Sequence, residues 1–260
     1  MPAAGANRPG GDGRVGCTGL LIDIGGVLRV GPNALPGAAG ALAALRHAGL
    51  PFRLLSNTSS TSREELAGEL SRMGIAVEAA EVLTATTATA GYLRRVGGAS
   101  LFLVSPAARA DLAGLPESPE APRHVVLADT DEAFTRAGMD RAFRALRAGA
   151  DLIAMARNRW FATPAGPAVD IGAVVAALEY AAEVEAVLVG KPAADFFLQG
   201  ARDLGLPPEQ VAMVGDDPEA DVLGAQEAGL SGIFVGKAWE RPGRPDAMLA
   251  SIAQLPALLA

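Results

Sequence analysis

Short apolar runs alternate with amphipathic stretches along almost the whole chain, and no other feature restricts its fold as much. The candidate strands are Leu20–Ile24, Phe52–Ser56, Leu101–Val104, Val125–Ala128, Leu152–Met155, Ala186–Val189, Val211–Val214 and Ile233–Val235. Helical patterns fall between them at Ala38–Ala48, Arg63–Met73, Ala85–Arg95, Met139–Arg147, Val174–Ala182 and Ala193–Leu204. Strands separated by helix-length segments are joined by crossovers and lie parallel. The expected class is therefore α/β, a parallel sheet with helices on both faces.

Local signals agree with this reading. Thr61 and Glu64 have the spacing of a capping box, Pro36 and Pro192 suit first-turn positions, and Gly49, Gly74 and Gly205 suit helix ends. No internal repeat is present. Two middle stretches, Ser105–Arg123 and Arg157–Gly172, are rich in turn residues and read as irregular. Residues 1–16, Gly- and Pro-rich without an apolar run, read as a flexible tail. We expect a core domain built from residues 17–82 and 185–260, with a module inserted at 83–184.

The 260 residues suffice for two modest domains with a real core. A net charge of -7 and a pI near 5.0 argue against general attraction to nucleic acid or to an anionic membrane. No apolar segment is long enough to span a bilayer, and a cytoplasmic location is the default expectation. One cysteine, Cys17, excludes a disulfide framework and a Cys cluster, and two histidines give little support to a His-based metal site.

Four segments carry chemistry. The run Leu20–Ile24 contains one carboxylate, Asp23, and breaks at Gly25-Gly26. Open α/β sheets bind ligands at the carboxyl ends of their strands, where this side chain would emerge as nucleophile, metal ligand or both. Ser56 and Asn57 follow the second strand. A hydroxyl with free backbone N–H groups there suits a phosphate oxygen, or the pair simply shapes a turn. Lys191 follows Val187–Val189 and is a fixed charge near a strand end, although surface lysines are common there. The last segment follows Val211–Val214 with Asp216, Asp217 and Asp221. Capping of the helix opened by Pro218 accounts for Asp217 but not for the other two. Gathered carboxylates repel unless a cation offsets them, and hard oxygen ligands suit Mg²⁺.

Together, in this order, Asp23, Ser56, Lys191 and Gly215-Asp216-Asp217-x-x-x-Asp221 resemble the four motifs of the haloacid-dehalogenase-like hydrolases. An insertion between the second and third motifs resembles the class IIA cap. Segments Gly149–Phe161, Ala173–Pro192 and Gly215–Gly229 are most similar to the class IIA branch, which includes 4-nitrophenylphosphatases, pyridoxal phosphatase and phospholysine phosphohistidine inorganic pyrophosphate phosphatase; the chain most resembles the last of these. The resemblance implies a Rossmann-like core plus a smaller α/β cap. It also implies a Mg²⁺-dependent phosphatase acting on a small phosphorylated substrate. Asp23 would attack phosphorus to give an aspartyl phosphate. Mg²⁺ would be held by Asp23, the Gly25 backbone carbonyl and Asp216, with Asp221 or Asp217 acting directly or through water. Ser56, amides near Asn57 and Lys191 would hold the phosphoryl oxygens.

The sequence departs from the family pattern at one place that matters. Most family phosphatases have a second aspartate where Gly25 stands, and it protonates the leaving group and later activates water. The phospholysine/phosphohistidine branch has serine there. Gly25 thus implies a slow enzyme, or one restricted to activated leaving groups. The alternative is a catalytically weak phosphometabolite-binding or regulatory protein on the same fold; dehalogenation fits the acid set less well. Substrate choice is expected from the inserted module, with Arg157, Asn158, Arg159, Trp160 and Asp170 as candidates, although Trp160 and Phe161 equally suit a core or an interface. Related modules pair subunits, so a homodimer is expected.

Overall fold

Asp23 sits at the end of the innermost part of a six-stranded parallel sheet, in a computed structural model that describes residues 15–163 and 165–259. Along the chain the strands are β1 (Gly19–Asp23), β2 (Arg29–Val30), β3 (Asn33–Ala34), β4 (Phe52–Ser56), β5 (Val82–Thr84), β6 (Ser100–Leu103), β7 (His124–Leu127), β8 (Asp151–Ala154), β9 (Trp160–Thr163), β10 (Gly166–Val169), β11 (Val187–Leu188), β12 (Val211–Gly215), β13 (Ser231–Val235) and β14 (Ala247–Leu249). The helices are α1 (Ala38–His47), α2 (Arg63–Arg72), α3 (Ala85–Val96), α4 (Pro106–Asp111), α5 (Asp131–Phe134), α6 (Arg136–Arg147), α7 (Gly172–Ala182), α8 (Ala194–Leu204), α9 (Gly224–Glu227) and α10 (Leu255–Leu259). None of the helices among the described residues is long and apolar enough to cross a membrane.

The described residues fall into two compact units: those up to 56, 67–83 and those from 191 onward form the first, and 57–66 with those between 84 and 190 the second. Of the expected N-terminal tail, residues 1–14 lie outside the described residues.

The first unit holds the sheet β14-β13-β12-β1-β4-β5. β1 pairs in parallel with β12 on one side and β4 on the other, with Ile22 opposite both Val214 and Leu54. The chain thus winds outward from β1 in both directions, and the strand order reverses beside it, which is where open α/β sheets form their ligand site. Leu20, Leu21 and Ile22 are all fully buried although successive side chains point to opposite faces. Both faces of β1 are therefore covered, as a parallel sheet requires. α8 covers one of them, with Gly200 packed close against Leu21. Beside it, Phe196 and Phe197 are fully buried and meet edge to face, their ring centroids 6.3 Å apart. Such a pair adds about 0.5–1.5 kcal/mol beyond its burial.

The second unit has its own parallel sheet, β11-β8-β7-β6, and its own core of Leu101, Leu103, Val125, Leu127, Leu152, Ile171, Val175 and Leu178, to which α6 and α7 contribute. A two-stranded antiparallel ribbon, β9–β10, extends it.

Several sequence expectations need correction. The capping box of α2 is one residue later than Thr61/Glu64: the Ser62 N–H donates to Glu65 Oε2 at 3.1 Å, and the Glu65 N–H to Ser62 Oγ at 3.2 Å. Both registers fit the local sequence, and packing of the apolar face chooses between them: Leu66 and Leu70 are buried. Pro36 and Pro192 precede their helices by two residues instead of opening them. The stretch Ser105–Arg123 is not wholly irregular, because Ser105 caps α4 by accepting from the Ala108 N–H at 3.1 Å, with Pro106 in its first turn. The stretch Arg157–Gly172 contains the β9–β10 ribbon, in which Pro167 is tolerated because an edge position leaves its missing N–H without cost. Pro164, between the two strands, lies outside the described residues. Finally, Val187–Leu188 is not a buried strand of the core sheet. It forms the edge of the second unit's sheet, beside β8, and Val187 is exposed.

Candidate active site

Asp23 is the last residue of β1 and is buried, 6% exposed. Neighbouring strands deliver the rest of the cluster. β12 ends at Gly215, so Asp216 emerges at the same sheet edge. The chain then enters a π-helical turn over Pro218–Leu223, which turns Asp221 back inward, where it is 1% exposed. Asp217 makes this turn possible: its Oδ1 accepts from the Glu219 and Ala220 N–H groups at 2.8 Å each, and its own N–H donates to Asp221 Oδ2 at 3.1 Å. Lys191, the first residue of the chain's return to this unit, is 6% exposed. Its Nζ donates to Asp23 Oδ1 and, at 2.6 Å, to Asp221 Oδ1.

One oxygen from each of Asp23, Asp216 and Asp221 lies within 4.8 Å of the others. Two glycines allow this convergence. Gly26 has φ +75°, and a Cβ there would overlap the Asp216 carboxylate; a Cβ on Gly215 would overlap that of Asp221. The cluster was legible in the sequence, but these two supports were not assigned a role. Their only sequence signal is the Gly-Gly pair and the Gly-Asp step after apolar strands.

Three carboxylates against one ammonium leave the cluster short of positive charge. Burial, reinforced by Asp221 and Asp216 and opposed by Lys191, pushes the Asp23 carboxyl up to about 7. Asp216 is pushed up to about 6, first by the partial desolvation it suffers and then by Asp221. Burial alone would lower Lys191, yet the charges of Asp221 and Asp23 outweigh it and hold the ammonium above its ordinary range. A small divalent cation fits this donor set, because hard oxygens converge and their charge is uncompensated. The turn after β1 also has a suitable carbonyl. Its hydrogen bonds run from Gly26 N–H to Arg29 O at 2.8 Å and from Arg29 N–H to Ile24 O at 3.1 Å. No backbone hydrogen bond among the described residues uses the Gly25 carbonyl.

Position 25 is open. A Cβ built on Gly25 meets only Asp23 Oδ2, at 3.9 Å. The remaining sequence candidates are distributed as follows. Ser56 ends β4, one residue beyond Leu55, the register partner of Asp23, and so lies at the same edge. Asn57 falls in the second unit. There, Arg157 is exposed and paired with Glu179. The Asn158 and Arg159 carbonyls accept from the Gly172 and Asp170 N–H groups at 3.0 and 3.1 Å. Asp170 is buried, with Oδ1 accepting from the Ile171 N–H at 2.6 Å. Trp160 and Phe161 are 62% and 42% exposed, so neither is a core residue. Asp129, which sequence reasoning passed over, has its carboxyl raised by burial and then by the charges of Asp170 and Asp131.

The parallel sheet, the strand-end aspartate and the lysine bridging two acids define a hydrolase of the haloacid dehalogenase type. Family profiles agree: one described as haloacid dehalogenase-like hydrolase matches residues 20–115, and a second of the same kind matches 188–255. The chain belongs to the haloacid dehalogenase-like hydrolase family. It is 37% identical over 216 residues to human haloacid dehalogenase-like hydrolase domain-containing protein 2, covering 83% of each chain. It is 35% identical over 234 residues to the rat phospholysine phosphohistidine inorganic pyrophosphate phosphatase, covering 88% of this chain and 86% of that one. Among solved structures, the 4-nitrophenylphosphatase of Thermotoga maritima superposes with a TM-score of 0.85 at 26% identity, over 94% of this chain and 98% of that one.

Proposed function

We propose that the chain is a Mg²⁺-dependent phosphatase that works through an aspartyl phosphate on Asp23 and favours activated leaving groups. The observation that carries this reading is the buried Lys191 ammonium held between Asp23 and Asp221, with Asp216 alongside. Asp23, Asp216, Asp221 and the Gly25 carbonyl would hold Mg²⁺, which when bound neutralises charge on the phosphoryl oxygens; Asp217 supports Asp221 from behind. Lys191 orients the Asp23 carboxylate for in-line attack and offers a second positive charge to the incoming group. Ser56, with amides near Asn57, supplies hydrogen bonds to the phosphoryl oxygens. Phosphoryl transfer needs this kind of positioning and charge neutralisation above all.

Gly25 cannot donate a proton to the departing oxygen. General acid catalysis contributes about 10²–10⁴-fold, so the loss falls on alkyl phosphates, whose leaving groups are basic. Aryl phosphates, pyrophosphate and phosphoramidates leave without that help. The last two classes appear in the name of the rat relative. Substrate selection is assigned to residues of the second unit, Arg157, Asn158, Arg159, Trp160 and Asp170. A cytoplasmic homodimer is the expected working form.

A panel of 4-nitrophenyl phosphate, pyrophosphate and a phosphoramidate, with and without Mg²⁺, tests the proposal. Mg²⁺-dependent turnover lost in Asp23→Asn supports it. Tight binding of phosphorylated compounds without turnover would replace it with a binding or regulatory role, the reading that Gly25 favours second.

A further inference from the structure

We propose that a cleft between the β2–β3 hairpin and the end of α2 binds a small organic anion, a carboxylate or a phosphate, and that its occupancy fastens the turn carrying Gly25 and Gly26. All the lining residues belong to the first unit. Binding there does not depend on the phosphatase reading.

The cleft has a volume of about 490 Å³ and is lined by Arg29, Gly31, Pro32, Glu69, Arg72 and Met73. Small-molecule sites occupy about 300–1,000 Å³. Two guanidinium groups and one carboxylate make this lining net positive, in a chain whose net charge is -7. Arg29 Nη1 donates to Glu69 Oε2 at 2.7 Å, which neutralises Glu69 and leaves the other N–H groups of the Arg29 side chain uncommitted among the described residues. Arg72 is exposed, and its side chain has no hydrogen bond or ion pair among the described residues. A guanidinium fork matches two oxygens of a carboxylate or phosphate. Pro32 and Met73 add apolar wall, which suits an organic body behind the charged head. Complementing the carbonyl end of α2 accounts for one cation in its last turn. It does not account for a second, brought to the same cleft by the hairpin.

The two walls differ in firmness. β2 and β3 pair through two residues each, and Val30, Asn33 and Ala34 are exposed. An isolated hairpin of this kind is marginal in water. α2 is anchored by the fully buried Leu70. An anion that holds Arg29 and Arg72 together therefore ties a weak element to a firm one. The tie reaches the active-site turn through the main chain of Arg29, whose carbonyl accepts from the Gly26 N–H at 2.8 Å and whose N–H donates to Ile24 O at 3.1 Å. Gly25 and Arg29 also form a β-bridge, and the Leu35 N–H donates to Leu28 O at 2.8 Å across the base of the hairpin. The residue whose side chain meets the ligand is thus the residue whose backbone closes the turn, and a ligand stabilises the state that binds it.

The test titrates the full chain, without Mg²⁺, with benzoate and with phenylphosphonate by calorimetry, and follows amide exchange in residues 24–35 by mass spectrometry. At least one probe should bind in the millimolar range or tighter, and the one that binds identifies the head group. Arg72→Ala removes charge-assisted hydrogen bonds and should weaken binding about tenfold or more; because Arg72 is exposed, the variant keeps its fold. With probe at about ten times Kd, exchange of the Gly26, Arg29 and Leu35 N–H groups should slow by up to about tenfold, and Arg72→Ala at the same probe concentration should show little slowing. Failure of both probes to bind overturns the proposal. Binding of equal strength in Arg72→Ala also overturns it, since the anion then sits elsewhere. Binding that depends on Arg72 but leaves exchange in residues 24–35 unchanged cuts the link to the turn and overturns it as well.

Discussion

If the proposed role of position 25 holds, replacing Gly25 by aspartate should widen the range of phosphates the protein turns over. The structure allows the change: position 25 has no positive φ, and the first atom added meets nothing nearer than Asp23 Oδ2 at 3.9 Å. A second carboxylate roughly 5 Å from Asp23 would be repelled by about 3 kcal/mol at an effective dielectric near 20. That repulsion favours the protonated form of the new side chain, the form a general acid needs. Restored acid catalysis is worth about 10²–10⁴-fold, or about 2.7–5.5 kcal/mol of barrier. The gain should appear in kcat/KM for alkyl phosphates and be small for 4-nitrophenyl phosphate, whose leaving group needs no proton. The assay is the ratio of the two specificity constants in the wild type and in Gly25→Asp. A variant that keeps its aryl phosphatase activity but gains nothing on alkyl phosphates would refute the role given to this position.

Three further perturbations probe the frame of the site. Lys191→Met leaves Asp23 and Asp221 buried without their shared cation, and breaking such a pair costs about 3–5 kcal/mol; urea unfolding showing a loss below about 1 kcal/mol, the range of surface pairs, would contradict the burial argument. Gly26→Ala forces a Cβ into the Asp216 carboxylate at a backbone angle alanine resists, and should cost about 1–3 kcal/mol and weaken Mg²⁺ binding in calorimetry; wild-type stability and affinity would sink that account. Cys17, the single thiol, is pushed up to about 11 by burial. The folded state prefers the neutral thiol, so stability is full below the unfolded pKa and is lost as pH rises toward the folded value. Reaction with a disulfide reagent should be slow in the folded protein near neutral pH and fast in urea; equal rates would show the thiol to be unperturbed.

The parts of the fold that could be read from sequence were those with a repeating physical constraint. Runs such as Leu20–Ile22 and Val211–Val214 are buried on both faces, so their residues are apolar throughout, and the run stops at the sheet edge. Asp23, Asp216 and Asp221 were legible because carboxylates beside such runs have few structural reasons to gather there; Lys191, at a position where surface lysines are common, stood out only in combination with them. What escaped was short or decided by distant contacts. β5 and β14 have three residues each, too few for a period to show. Ser62 displaced Thr61 as the cap of α2 because burial of Leu66 and Leu70, not local sequence, set the register. The strand before Lys191 looked like the core strands in sequence, yet it pairs with β8 in the second unit, a choice made by partners far along the chain. Gly26 and Gly215 matter through what a Cβ would strike, which only coordinates reveal.

The central claim is that Asp23, rather than water, attacks phosphorus. Acid quenching during turnover of 4-nitrophenyl phosphate, borohydride reduction and peptide mass spectrometry would trap an acyl phosphate as the corresponding alcohol. The account predicts the mass change on the peptide containing residue 23, and its absence when Mg²⁺ is withheld. Turnover with that peptide unmodified at every quench time, or with the modification on another carboxylate, would contradict it.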